Sequence, residues 1–541
     1  MNRILPALFV CAVACTTPTE APDPPADTRQ EGDTGHTAPA ATQDTGNTAV
    51  EPTAPAFVQQ PLVTEVANEG LHLVRWLTAE VDQDSTLTVE WTDGVTVSSR
   101  DITVAATTHQ LPLFGLHPDT TYQLTVVATG MEGLQTTSQS VSFSTAPLPP
   151  TFPLMEVLTL DATRMEPGLT LFDTQSDGSD FVVMLDAAMR VTWYLETSGD
   201  PGDLRLTDRG TLLGIVANRI WEIDLTGEAV GTWPDTFVHH AASALQDGGV
   251  IALVNESVDV LQYPTSYADP YDFTPATLQS ASLYRLAADG TEVETVAMAS
   301  LLDTKRIAFD SLNESSGGFE WTHANAVFPD PFNGGFIASL RHQDAVIKVD
   351  DAGDLEWILS NETGWTAEHT PYLFTPVGSD FSWPYHQHAP EMIDANTILL
   401  FDNGNRHYTP YEPNPHIEDA SRVVAYELDT SARTITQLWE YKNTQTGTLH
   451  SGVFGDADLQ PQTGNVLAVF GANSTEGGVE NLAIGRGRKS ARLIEFDPAQ
   501  PDPPALDLRL YSDQADLPMG WKVYRAERTP DLYATWDLYT P

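Results

Sequence analysis

Four residues occupy one recurring place in this chain. His240 stands eight residues before Gly248 in His-Ala-Ala-Ser-Ala-Leu-Gln-Asp-Gly, and His323 precedes Gly334 in His-Ala-Asn-Ala-Val-Phe-Pro-Asp-Pro. His388 precedes Asn396 in His-Ala-Pro-Glu-Met-Ile-Asp-Ala, and Arg525 opens Arg-Ala-Glu-Arg-Thr-Pro-Asp-Leu-Tyr. Imidazoles and a guanidinium gathered in one pocket would hold an oxyanion, because arginine offers a rigid multi-donor fork. A neutral imidazole is also a nucleophile near pH 7, and neighbouring cations keep it neutral. Arg341, at the end of the Gly334–Leu340 run, adds a second cation to the unit that carries His323. The chemistry such a set can perform is in-line transfer of an anionic group without a metal. The stretch Phe381–Glu391 adds Trp383 and Tyr385 beside His386 and His388, and these rings are candidate walls for an aromatic ligand. His388 is in register with the other two histidines; His386 is read as its structural neighbour.

These residues need a repeating scaffold. A short apolar alternating run, an acidic turn and a second strand near a tryptophan recur from Pro149 onward. Examples are Val182-Val-Met-Leu-Asp to Trp193, Val346-Ile-Lys-Val-Asp to Trp357 and Val424-Ala-Tyr-Glu-Leu-Asp to Trp439. Copies at intervals of roughly 40–80 residues, all strand, predict an all-β fold with a six-bladed β-propeller over 149–541. In a propeller the first strand of each blade lines the central channel, so equivalent positions near its start converge on the axis. Upstream, alternating strands over 58–147 predict a β-sandwich, and Leu116-His-Pro-Asp-Thr-Thr-Tyr122 resembles the tyrosine corner of fibronectin type III modules. The acidic loop Asp173–Asp180 reads as solvated.

The chain of 541 residues carries a formal net charge of −49, which argues against nucleic acid or anionic lipid surfaces as partners. Both cysteines, Cys11 and Cys15, lie near the N-terminus, so no disulfide or thiolate site is expected elsewhere. One arginine, an apolar run and Ala-Val-Ala-Cys15 give residues 1–15 the layout of a lipoprotein signal, with Cys15 as the lipidated residue. Residues 16–57, rich in Thr, Pro, Ala, Asp and Gly, read as a disordered tether. The expected product is exported and lipid-anchored, in the periplasm, on the outer membrane or at the cell surface.

Trp321-Thr-His-Ala-Asn325, Ser339-Leu-Arg341-His-Gln-Asp-Ala-Val-Ile-Lys348, Gln387-His388, Phe401-Asp-Asn-Gly404 and Ser421-Arg-Val-Val-Ala-Tyr together resemble the bacterial arylsulfate sulfotransferase family. The resemblance runs through most of 149–541. It implies a six-bladed propeller that moves a sulfuryl group from a phenolic sulfate ester to a phenol. The route is ping-pong through a sulfohistidine, with no cofactor and no PAPS. Carried over motif by motif, His388 is the nucleophile and His323 the proton donor and acceptor for the phenol oxygen. His240 and Arg341 bind the sulfate oxygens and Asn325 assists; apart from the resemblance, the register adds Arg525, and Tyr385 and Trp383 as walls, to the candidate substrate contacts. The implied partners are an aryl sulfate donor and a phenolic acceptor, with a homodimer as one compatible assembly. The chain departs from the family's pattern at Ser243, where an aspartate is common, and at Phe454, which bears on acceptor contacts.

Two other classes remain open from sequence. Three converging histidines also suit a His₃ metal site with an open position, although nearby arginines oppose a dication. A tethered propeller could instead bind aromatic or sulfated ligands without transforming them.

Overall fold

The computed structural model describes residues 51–176, 178–412, 419–443, 449–476, 479–480, 487–514 and 517–539. The expected signal with Cys15, and most of the 16–57 tether, lie outside them. Among the described residues the chain is nearly all strand, with two short helices, Met298–Leu301 and Leu532–Leu538.

Residues 57–144 form six strands joined into one hydrogen-bonded sheet. Its axis is the long hairpin Arg75–Thr92 with Val97–Leu113, whose register shifts between Glu80 and Leu87. The Tyr122 hydroxyl accepts the His117 N–H at 2.8 Å, the local bond that the Leu116–Tyr122 motif predicts. Leu77, Val89, Trp91, Leu124 and Val126 form the core of this region.

From Leu154 onward six sheets, antiparallel but for one parallel pair in each of two, follow one another among the described residues. Five open on Pro201–Leu206, Ala242–Ala244, Ala324–Pro329, His388–Met392 and Asp456–Leu459, and consecutive members of that series are neighbours. The remaining sheet is closed by Ala526–Thr529, which pairs with Leu169–Thr174. The outermost strand of the sixth sheet is Leu154–Leu160, paired with Leu506–Tyr511. The ring is therefore fastened twice, once by each end of this region.

Strand periodicity explains the ring. Each sheet is apolar on both faces, and alternate residues of one strand enter different inter-sheet cores. Phe181, Val183 and Leu185 pack against the sixth sheet, while Val182 and Met184 face the Leu204–Leu225 sheet. Ala338 and Leu340 join the core shared with Ile251 and Leu283, whereas Ile337 joins the one with Ile398 and Val424. The remaining pairs meet through Leu213 with Val250 and through Val423 with Val466. These links run round the full circle, giving an all-β, propeller-like fold.

The acidic turns of the repeat hold the hairpin ends. Asp186 Oδ1 accepts the backbone N–H groups of Ala188 and Arg190, and Asp350 Oδ1 those of Ala352 and Asp354. Asp429 does the same for Ser431 and Ala432. Asp173 departs from expectation. It is fully buried and accepts the Tyr524 N–H at 2.8 Å, because the closing segment 524–529 covers it.

Candidate active site

The inner strands deliver their side chains through strained entries. His240 and His323 have φ values of 63° and 41°, and Phe454, at the matching place before Asp456–Leu459, has 61°. Non-glycine residues rarely adopt this region, and such strain concentrates at functional sites. The left-handed turn swings each side chain off its strand and toward the axis.

The structure brings His240, His323, His388 and Arg341 together. His240 Nε2 lies 3.0 Å from His323 Nε2, and Tyr524 stacks on His240 at 5.9 Å between ring centroids, with its edge toward His388 at 6.3 Å. Arg341 sits in a single 3₁₀ turn, Arg341–Gln343, that ends its strand and points back to the axis. It is buried, 3.6 Å from Asp310 at its nearest ion-pair contact, and its Nε has no hydrogen-bond partner. A desolvated guanidinium with an unused donor is suited to an oxyanion.

Several partners escaped the sequence reading because they depend on contacts between distant segments. Asn403 donates through Nδ2 to the Ser451 and Phe454 carbonyls, which turns its Oδ1 toward His388 Nδ1 at 2.6 Å. His388 therefore carries its proton on Nδ1 and presents the Nε2 lone pair. Glu320 accepts from His323 Nδ1 at 3.2 Å and sits three residues upstream, a spacing visible in the sequence. His342 donates Nδ1–H to the Glu320 carbonyl at 2.7 Å, accepts from Arg341 at 2.7 Å and stacks on His323 with centroids 4.4 Å apart. Each of its nitrogens is thus engaged. His239 lies beside the set, its ring centroid 4.0 Å from that of His240.

Burial and the neighbouring cations shape the electrostatics. Burial, then Arg341, lowers the His388 pKa to about 3, against the opposing hydrogen bond to Asn403. Burial first, then the surrounding imidazoles and Arg341, holds His240, His323 and His342 well below the usual histidine range. All four imidazoles are neutral at pH 7. His386 differs. Burial works against its charge, but Asp344 and Asp310, at 3.0 and 3.3 Å, raise its pKa. The two carboxylates hold the His386 ring beside the set.

Four expected substrate contacts are arranged otherwise. Arg525 is buried and paired with Asp203 and Asp456, so its charge is held by carboxylates, with only Nη2 unpartnered. Asn325 is fully buried and donates Nδ2 to the Gln387 carbonyl at 2.8 Å, leaving an acceptor oxygen unpartnered instead of a donor for sulfate. Trp383 packs edge-on against Phe381 at 4.7 Å within the core between two sheets, and Tyr385 lies in the same core. Both rings lie in the irregular segment that precedes the strand His388–Met392 and pack into the core between sheets. Ser243 donates to the Val327 carbonyl, and Phe454 packs on Tyr524 at 4.9 Å.

A cavity of about 450 Å³ opens onto this cluster, lined by His239, His323, Glu320, Phe237, Asn255 and Gln279. A larger one, about 640 Å³, lies around Arg205, Asp208, Arg209, Asp247 and Glu391 and holds none of the histidines. Of the set, His323 lines the first of these two cavities.

Among curated proteins, arylsulfate sulfotransferase AssT of Lelliottia amnigena is 22% identical over 351 residues, covering 55% of this chain and 58% of that protein. AssT of Escherichia coli O6:H1 is 30% identical over 140 residues, 23% of each chain. The chain thus spans little more than half the length of the first relative. A solved structure of the dihydro-heme d1 dehydrogenase NirN aligns at a TM-score of 0.30 and 9% identity over 75% of this chain and 72% of that one, a likeness too slight to argue from. The profile of the family described as arylsulfotransferase (ASST) matches residues 155–507, the span that holds His240, His323, Arg341 and His388, and the chain belongs to that family.

Proposed function

We propose that this protein transfers a sulfuryl group from an aryl sulfate to an acceptor phenol through a sulfohistidine on His388, without PAPS. The reading is supported above all by His388, whose Nδ1 proton is held by Asn403 and whose neutral Nε2 stands in a cluster with Arg341, His240 and His323. In the first half-reaction Nε2 attacks sulfur and the bond from sulfur to the aryl oxygen breaks. His323 takes up one proton from solvent as the anionic ester binds and gives it to the departing oxygen, while Arg341 and His240 stabilise the equatorial oxygens. In the second half the acceptor phenol gives its proton to His323, its oxygen attacks sulfur, and the nitrogen–sulfur bond breaks. Glu320 stabilises the imidazolium that forms at His323 between proton transfers. The one proton that His323 takes from solvent in the first half is regained from the acceptor phenol in the second.

Intact-mass measurement after mixing with 4-nitrophenyl sulfate tests this. One added SO₃ unit is expected, discharged by phenol and missing in His388→Ala. Dye release that needs no acceptor and leaves no adduct would make the protein a hydrolase instead. We further propose export and anchoring through a lipid on Cys15, with the 58–147 region as a sandwich-like spacer. The support for this is the signal-like leader and the threonine- and proline-rich tether. Absence of lipid from the mature N-terminal peptide would overturn the anchoring.

A further inference from the structure

We propose that His239, His240 and His323 form a binding site for a divalent transition-metal ion, Zn²⁺ or Co²⁺, whose occupancy blocks sulfuryl transfer; the blocking rests on the function proposed above. Each of the three imidazoles offers a ligand nitrogen, and these nitrogens all lie within 4.8 Å of one another. The 3.0 Å between His240 Nε2 and His323 Nε2 is close to the edge of a tetrahedron, about 3.3 Å for metal–nitrogen bonds of about 2.0–2.1 Å. The His239 ring centroid is 4.0 Å from His240 and 5.2 Å from His323, and its Nδ1 has no hydrogen-bond partner. A small rotation of the two outer rings would complete three corners.

The surroundings supply what such a site needs. Glu320 at His323 Nδ1 is the carboxylate that commonly stands behind a ligating histidine, and it offsets the charge of Arg341. The 450 Å³ cavity lined by His239, His323 and Glu320 gives an entry path and room for a water in the fourth position. An all-nitrogen set selects zinc, cobalt, nickel or copper over magnesium or calcium.

The alternative set Glu320, His323 and His342 also has closely placed ligand atoms, but both nitrogens of His342 are engaged, by Arg341 and by the Glu320 carbonyl. His388 belongs to neither set, so the metal would leave the nucleophile untouched. It would instead take the Nε2 atoms of His240 and His323, which the proposed reaction requires for the sulfate oxygens and for the proton. The site is inhibitory by construction.

The test uses the full chain freed of metal with a chelator. Cobalt titration should give tetrahedral visible bands at one ion per chain, displaced by zinc and not by magnesium. Zinc should inhibit transfer from 4-nitrophenyl sulfate to phenol with the same midpoint. His239→Gln should keep the metal-free rate, weaken cobalt binding at least about tenfold and shift zinc inhibition by the same factor; Glu320→Gln should weaken binding by roughly 10–100-fold. The inference is overturned by a wild-type protein that gives no cobalt bands, by His239→Gln binding cobalt as the wild type does, or by loss of transfer on chelation. Because the bands are read without turnover, cobalt binding in a protein that transfers nothing would overturn the sulfotransferase reading and leave the site standing. A protein that transfers sulfuryl groups but gives no bands would do the reverse.

Discussion

Asn403 decides which nitrogen of His388 is free. Its amide is turned by two carbonyls, so the only group it can offer the imidazole is an acceptor. On the mechanism proposed above, Asn403→Ala should lower the rate of His388 sulfurylation by about 10²-fold with the fold intact, the loss expected of a positioned proton partner. Asn403→Asp should place a carboxylate on Nδ1 and raise the His388 pKa from about 3, so that rate falls on acidification in a range where the wild type is flat. Stopped-flow dye release from pH 5 to 8 reads this; an unchanged profile would mean that Asn403 does not face the reacting imidazole. At this scale the sequence made the convergence of His240, His323 and His388 legible, because equivalent positions of the repeat share one place in each sheet. It missed Asn403 and Tyr524, whose roles arise only when loops from different sheets meet.

An inner strand of a propeller must do two things: seal the axis and aim a side chain into it. Arg525 shows the first. Paired with Asp203 and Asp456 from two other inner strands, it ties three sheets together at the centre. Arg525→Met would leave these two buried carboxylates only the longer contacts to Arg205, at 3.6 and 4.0 Å, and should cost about 3 kcal/mol in urea unfolding, with partial recovery in Arg525→Lys. A loss below 1 kcal/mol would show the pair to be dispensable. The turn aspartates are cheaper to remove. Asp350→Ala loses two turn hydrogen bonds and should cost about 1–2 kcal/mol without changing activity, read by thermal melting. The hairpins and their acidic turns were legible because alternation and Asp-rich turns are local. The orientation of Trp383 and Tyr385 was not, since an aromatic beside a catalytic strand has the same sequence signature whether it faces the axis or the next sheet.

Across the whole molecule, buried ionisable groups set opposing pH responses. The depressed imidazoles contribute stability that is complete above about pH 6.5, their ordinary unfolded value, and is lost as pH falls toward about 3–4 for His388 and His239. Burial raises the carboxyls of Asp173 to about 8 and Glu527 to about 7, so their contribution is present below about pH 4 and lost as pH rises through those values. Between about pH 6.5 and 8 these carboxyls act together with His386, whose raised pKa also costs stability as pH rises. The melting temperature should fall over that interval, and Asp173→Asn should flatten the slope; an equal slope in the variant would exclude Asp173 as its source. The repeat announced the ring of sheets, but its double fastening was not readable, because Leu154–Leu160 and Ala526–Thr529 pair across nearly the whole domain. That fastening also times the birth of activity. The Tyr524 amide reaches its partner Asp173 351 positions away, and closing such a loop costs about 5 kcal/mol of chain entropy. Tyr524, the ring between His240 and His388, arrives only with that closure, so during refolding catalysis should return after the sheets do.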